Sequence, residues 1–205
     1  MMQGQFPSFF LCFHFPFIST IPDSPSQHFT EVPEKTKKAL FTAATEGKLS
    51  AMQALLEGKL HLINLLDTKD SNNTILHLAC EHRHLPVVTW LLQQQSRLMV
   101  NMSNQVGKSA FFVACGKGFS DIVKVMLLSL TITQPLLDMN TGSQHHSPLM
   151  IASKIVHVGV VKELLERGGD KVDVNRELGG SALTNASDSG NMEILELLLN
   201  HPKLM

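Results

Sequence analysis

The chain has 205 residues, of which 43% are hydrophobic and 17% charged, and its formal net charge is −1. That length allows one or two ordinary domains with ample apolar material for a core, and the near-zero charge offers no basic field for nucleic acid. Its three cysteines, Cys12, Cys80 and Cys115, are too few and too scattered for a disulfide scaffold, so a reducing, cytoplasmic setting is expected.

Residues 1–35 read as a leader. Six Phe fall within residues 5–18, interrupted by Pro7, His14 and Pro16, and the segment from Pro22 to Pro33 is rich in Pro and Ser. A secretory signal is one reading, but the first Lys or Arg is Lys35, so the positive start of such a signal is missing. A disordered leader ending in a linker is expected, with a cleaved signal and a misplaced start as the other readings. Lys35, Lys37 and Lys38 form a short basic cluster that reads as a solvated face and leaves the nucleus open as an alternative location. Beyond the leader no run is long and apolar enough for a transmembrane helix.

From residue 36 onward one pattern recurs five times. Anchors Leu40, Leu76, Phe111, Leu149 and Leu183 lie 36, 35, 38 and 34 residues apart. Each is followed three positions later by Ala (Ala43, Ala79, Ala114, Ala152, Ala186). Each is followed fifteen positions later by an apolar pair: Leu55-Leu56, Leu91-Leu92, Met126-Leu127, Leu164-Leu165 and Leu198-Leu199. A period in this range signals stacked supersecondary units that share a continuous core. Repeats are expected at about 36–70, 71–104, 105–142, 143–176 and 177–205.

The second unit shows the physics. Leu76 and Ala79 share a helix face, and the small Ala lets a neighbouring helix approach. A turn follows near Arg83-His84, and Pro86 suits the first turn of a second helix. There Val87, Val88, Leu91 and Leu92 make a stripe wide enough to bury on both sides, with Trp90 at its edge. Thr74 suits a helix-start position, where its hydroxyl accepts from first-turn amides; Ser109, Ser147 and Ser181 match it, and Lys38 does not. Asn72-Asn73, Gly107-Lys108, His145-His146 and Gly179-Gly180 precede the first helices and suit tight hairpin turns.

The run Thr74-Ile75-Leu76-His77-Leu78-Ala79-Cys80, then Arg83-His84, Val87-Val88 and Leu91-Leu92, resembles the ankyrin repeat. The resemblance covers about four fifths of the chain. It implies an all-α, ankyrin-type solenoid of about five helix-turn-helix repeats joined by hairpin-like loops, with hairpin fingers projecting on one side. Departures are visible. Only the second repeat keeps the motif histidine, His77, where the others have Phe41, Phe112, Met150 and Thr184. Repeat four has Val156 in place of the inter-helix Gly, and repeat three is lengthened between Ser129 and Met139. A stack less stable than a consensus array is expected.

The resemblance also implies non-catalytic protein–protein binding on a concave face. Carried onto this sequence, partner-binding positions are Asn72, Asn73, His82, Arg83, His84, Lys108, Lys117, Phe119, His145, His146 and His157. No Asp or Glu is among them, so a positive, histidine-rich face and an acidic partner are expected. Two rival readings stay open: a fragment of the ankyrin array of a larger channel or multidomain protein, favoured by the abrupt end at Met205, and a small enzyme inhibitor. The last helix carries Ile194, Leu195, Leu197, Leu198 and Leu199, so self-association through the C-terminal repeat is also expected.

No catalytic residue, cofactor or metal is expected. His77, Cys80 and His84 have zinc-ligand identities, but the repeat register makes the first two interior residues and puts a turn before the third. Cys80 and Cys115 sit at equivalent places on helices packed about 8–10 Å apart, too far for a bridge. The glycine pairs Gly168-Gly169 and Gly179-Gly180 lack the Lys-Ser/Thr of a phosphate loop and read as turns.

Overall fold

The computed structural model describes residues 32–94, 96–129, 137–140, 142–143, 146–177 and 180–204. The Phe-rich leader, His145, Gly179 and most of the expected insertion between Ser129 and Met139 lie outside them. Among the described residues ten α-helices form, with nothing more strand-like than isolated bridges.

The helices come in pairs. α1 (Glu34–Thr45) is followed by α2 (Leu49–Leu56), α3 (Ile75–Glu81) by α4 (Leu85–Gln93), and α5 (Ala110–Lys117) by α6 (Ser120–Ser129). α7 (Pro148–Lys154) is followed by α8 (Val158–Glu163), which runs on into a π-turn at Leu164–Gly168, and α9 (Ala182–Asp188) by α10 (Met192–Leu199). The first helices stack in a row, α1 on α3, α3 on α5, α5 on α7 and α7 on α9. Of the second helices, α4 packs on α6, α6 on α8 and α8 on α10. The result is an all-α repeat stack.

The recurrent residues are the ones that the stack buries. Leu40, Leu76, Phe111 and Leu149 are buried, and all five repeated Ala are at most 4% exposed. Ala is needed because the first helices sit close enough that a larger side chain would push them apart. Leu91-Leu92, Met126-Leu127 and Leu164-Leu165 fill the space between the helix layers. The last unit is looser: Leu183, Leu195 and Leu197 are half-buried, and Met192 and Leu199 are exposed. Trp90 is half-buried against the core.

Helix starts follow the sequence closely. The hydroxyls of Thr74, Ser109, Ser147 and Ser181 each accept from the amide three residues on, at 3.3, 3.2, 3.2 and 3.0 Å. Each such cap stabilises its helix by about 1 kcal/mol. Asn191 caps α10 in the same way. The first unit differs: α1 begins at Glu34, after Pro33, so Lys38 lies inside the helix rather than at its start.

The turn between the paired helices takes one left-handed residue in every unit. Gly47, Gly118 and Gly190 have φ of 70°, 77° and 67°, while Arg83 and Val156 occupy the same place at 60° and 64°. For Val156, a β-branched residue, this conformation costs about 1–3 kcal/mol. The departure noted in repeat four is thus a strained turn, not a change of path.

Polar groups stitch neighbouring units. His77 Nε2–H donates to the Lys108 carbonyl at 2.9 Å, while its Nδ1 takes the Thr74 amide N–H at 3.3 Å and lies 2.8 Å from the Thr74 hydroxyl. An asparagine ladder runs along the inter-repeat loops. Asn64 accepts from the Met99 amide and donates to the Arg97 carbonyl. Asn140 does the same with the Asp173 amide and the Lys171 carbonyl. Asn101 accepts from the Asp138 amide, and Asn175 donates to the Lys203 carbonyl.

Two measurements check this packing. Ala114→Leu should overpack the α5 interfaces and cost about 1–3 kcal/mol in urea unfolding, whereas an unchanged midpoint would mean that Ala114 is not at a helix contact. Burial lowers the His77 pKa, against the raising effects of the Lys108 carbonyl and Glu81. The native ring therefore stays neutral where the unfolded ring, titrating near about 6.5, takes a proton. Stability should fall as pH drops through about 6.5, and the fall should be shallower for His77→Gln; equal slopes for the two proteins would contradict it.

Candidate protein-binding groove

Two hairpin fingers precede α3 and α5. In the first, the Asp67 amide donates to the Asn73 carbonyl at 2.8 Å, and Ser71 and Asn72 turn the chain with φ of 50° and 56°. In the second, the Asn104 amide donates to the Lys108 carbonyl at 2.9 Å and Gly107 turns the chain at φ 74°. The fingers are tied to each other and to the next loop. Asn104 donates to the Asn73 side chain at 2.9 Å, the Gln105 amide to the Ser71 carbonyl at 2.7 Å, and the Ser143 hydroxyl to the Val106 carbonyl at 2.8 Å.

Where the fingers meet the first helices they enclose a groove of about 430 Å³. Asp70, Ser71, Asn73, Asn104, Val106, Lys108, Ser143 and His146 form the finger side, and Glu81, Phe112, Val113, Gly116, Lys117, Ile151, Lys154 and Ile155 the helix side. Val106 and Ile155 are 53% and 48% exposed, large apolar groups left in water. Among the described residues, neither Lys108 nor Lys154 pairs with a carboxylate; Lys117 pairs with Glu81 at 3.2 Å.

Of the residues expected to face a partner, Asn73, Lys108, Lys117 and His146 line this groove. Asn73 is buried and held between Asp70 and Asn104, so it shapes the fingers rather than facing outward. Asn72 is half-buried at the finger turn. His145 lies outside the described residues.

The remaining positions fall on the turns between paired helices, at the far end of the first helices from the fingers. His84 Nε2–H donates to the Thr45 carbonyl at 2.6 Å, and His157 Nε2–H to the Gly116 carbonyl at 3.1 Å. Their rings lie against Gly47 and Gly118, where any β-carbon would overlap them. Both imidazoles are half-buried and bonded to the preceding unit. Phe119 replaces the histidine of repeat three and packs against the core, and the Arg83 guanidinium sits 5.5 Å from its ring centroid. Arg83 also pairs with Asp121 at 3.3 Å. His82 is exposed, its ring 6.2 Å from that of His84.

The expected positive face includes carboxylates as well as lysines. Asp70 and Glu81 line the groove, and Asp121 and Glu81 engage Arg83 and Lys117 across adjacent units. What remains is a mixed groove with three lysines against two carboxylates. Sequence reasoning missed Glu81, Gly116 and Lys154, yet they share one register position, five residues after Leu76, Phe111 and Leu149.

The zinc-like trio does not converge on one point. His77 bonds forward to Lys108 and His84 back to Thr45, and burial pushes the Cys80 thiol well above its ordinary range. Cys115 is raised in the same way, chiefly by burial. Among the described residues no helix is long and apolar enough to cross a membrane.

Residues 22–102, 40–134 and 128–204 each match the family profile described as ankyrin repeats, three copies. Over 156 residues the chain is 28% identical to a tyrosine-protein kinase of Hydra vulgaris, covering 75% of this chain and 18% of that one. Over 128 residues it is 30% identical to the B-cell lymphoma 3 protein homolog of Mus musculus, covering 62% and 28%. Over 70 residues it is 36% identical to an E3 ubiquitin-protein ligase of Gallus gallus, covering 34% and 7%. The chain thus spans well under half the length of these curated relatives, and the kinase and ligase activities in their names are properties of those proteins. Five helix pairs in register, their shared caps and turns, and profile matches over most of the sequence lead to one assignment: the chain belongs to the ankyrin repeat family, whose repeats mediate protein–protein interactions.

Proposed function

We propose that this chain is a non-catalytic binding module and that a protein partner docks on its concave face, in the groove between the fingers and α3, α5 and α7. The observation that carries this reading is the pair of exposed apolar groups, Val106 and Ile155, in a groove that also holds lysines and carboxylates. Interfaces of this kind combine an apolar centre with a polar rim, and a few residues dominate the energy. An acidic partner is favoured by Lys108 and Lys154, and more weakly than the sequence suggested, because Lys117 already has Glu81.

The array acts as the interaction segment of a larger assembly or chain, a reading favoured by relatives of which this chain matches 7–28% of the length. A second contact, between copies of this chain, is favoured by Met192 and Leu199, 66% and 59% exposed on α10. The buried free thiols of Cys80 and Cys115 suit a reducing compartment such as the cytoplasm.

Affinity capture with the full chain tests the groove. The double variant Val106→Asp, Ile155→Asp should lose bound proteins by roughly tenfold, about 1.4 kcal/mol, while Met99→Asp, an exposed apolar site elsewhere, should not. An identical set of captured proteins from wild type and the double variant would exclude the groove as the docking face.

A further inference from the structure

Gly116 is a glycine without a structural reason. It lies in the last turn of α5 with helical backbone, and so does not need the left-handed freedom that explains Gly107 or Gly118. No close packing requires it either. A β-carbon at Gly47 or Gly118 would run into a histidine ring, whereas one at Gly116 would meet only the Ile151 side chain at 3.7 Å, an ordinary contact. Its carbonyl accepts from His157, which any residue would allow. Glycine is a poor helix former, so alanine would be the better choice for the fold alone.

What Gly116 does is leave the wall of the groove bare. It lines the groove on α5, and at the same register position the neighbouring units carry Glu81 on α3 and Lys154 on α7. Missing side-chain bulk suits a ligand whose own main chain comes close. A helix sheathes its backbone in side chains, but an extended strand exposes it and sends alternate side chains to opposite sides.

We propose that the groove takes an extended peptide segment whose main chain crosses Gly116, with aliphatic side chains alternating with acidic ones. This deepens the reading of the groove given above and rests on it. The aliphatic groups meet Val113, Ile151 and Ile155, which leave apolar surface in the groove. The acidic groups meet Lys154 and Lys108, the two groove lysines that no carboxylate engages among the described residues. Glu81 is occupied by Lys117 and disfavours further acid at its own edge, which gives the segment a direction.

The test uses a displayed library of random short peptides selected on the full wild-type chain. Recovered peptides are then synthesised, and their binding to wild type, Gly116→Ala and Lys154→Gln is read by fluorescence anisotropy, with a thermal melt of each protein. The expected result is enrichment of alternating aliphatic and acidic residues. Affinity should fall by roughly tenfold on Gly116→Ala, whose melting temperature is equal or higher, and severalfold on Lys154→Gln. Peptides weakened by Lys154→Gln but bound equally by Gly116→Ala would overturn the role of Gly116 and leave the groove standing. Peptides indifferent to both variants, or no enrichment of the alternating pattern, would overturn the extended-segment proposal; indifference to both would also remove the groove as the docking face.

Discussion

Every first helix here depends on the burial of one small-residue face against the unit beside it. α1, the longest, has 12 residues, and α8 has 6 before its π-turn. Helices of that length are marginal alone in water. Pairing within a unit buries the Leu-Leu stripe, and the Ala face of each first helix is buried where neighbouring first helices pack together. Stability is therefore a sum of contacts between neighbours rather than the property of one centre. The same constraint lays the first helices side by side and brings the fingers into line, and the groove is the space they leave.

Polar stitching sets the register on that apolar ground. The asparagine ladder satisfies backbone groups of each loop from the unit before, and Asn64, Asn101, Asn140 and Asn175 share one place in the repeat. The helix-turn stitch is less uniform. Two interfaces use a histidine packed on a glycine, His84 on Gly47 and His157 on Gly118. Between them, Arg83 and Phe119 replace both partners, so a cation–π contact and the Asp121 ion pair take over from the histidine bond. An exposed pair of this kind contributes little, roughly 0–1 kcal/mol, so this interface relies more on its apolar contacts.

The sequence made the stack readable because its signal is local and repeated. The anchor, the Ala three residues on and the hydroxyl that starts the helix lie within six residues of one another, and all four expected caps form as bonds. The groove was less readable for a physical reason. Its charges pair across units, Lys117 with Glu81 and Arg83 with Asp121, at separations that a scan along one repeat does not join. His84 and His157 look like surface residues by type, but a glycine in the preceding unit makes room for each ring to fold inward. Comparing the residues at one register position, Glu81, Gly116 and Lys154, would have found the groove wall; comparing residue types did not.

Native-state hydrogen exchange on the full chain tests most directly whether stability is a sum over neighbouring units. Amides of α3 to α6, with a unit on both sides, should open at the highest free energy. Those of α9 and α10, whose Leu183, Leu195 and Leu197 are only half-buried, should open well before them. Exchange from all ten helices at one common free energy would contradict the account, because it would mean a single cooperative core.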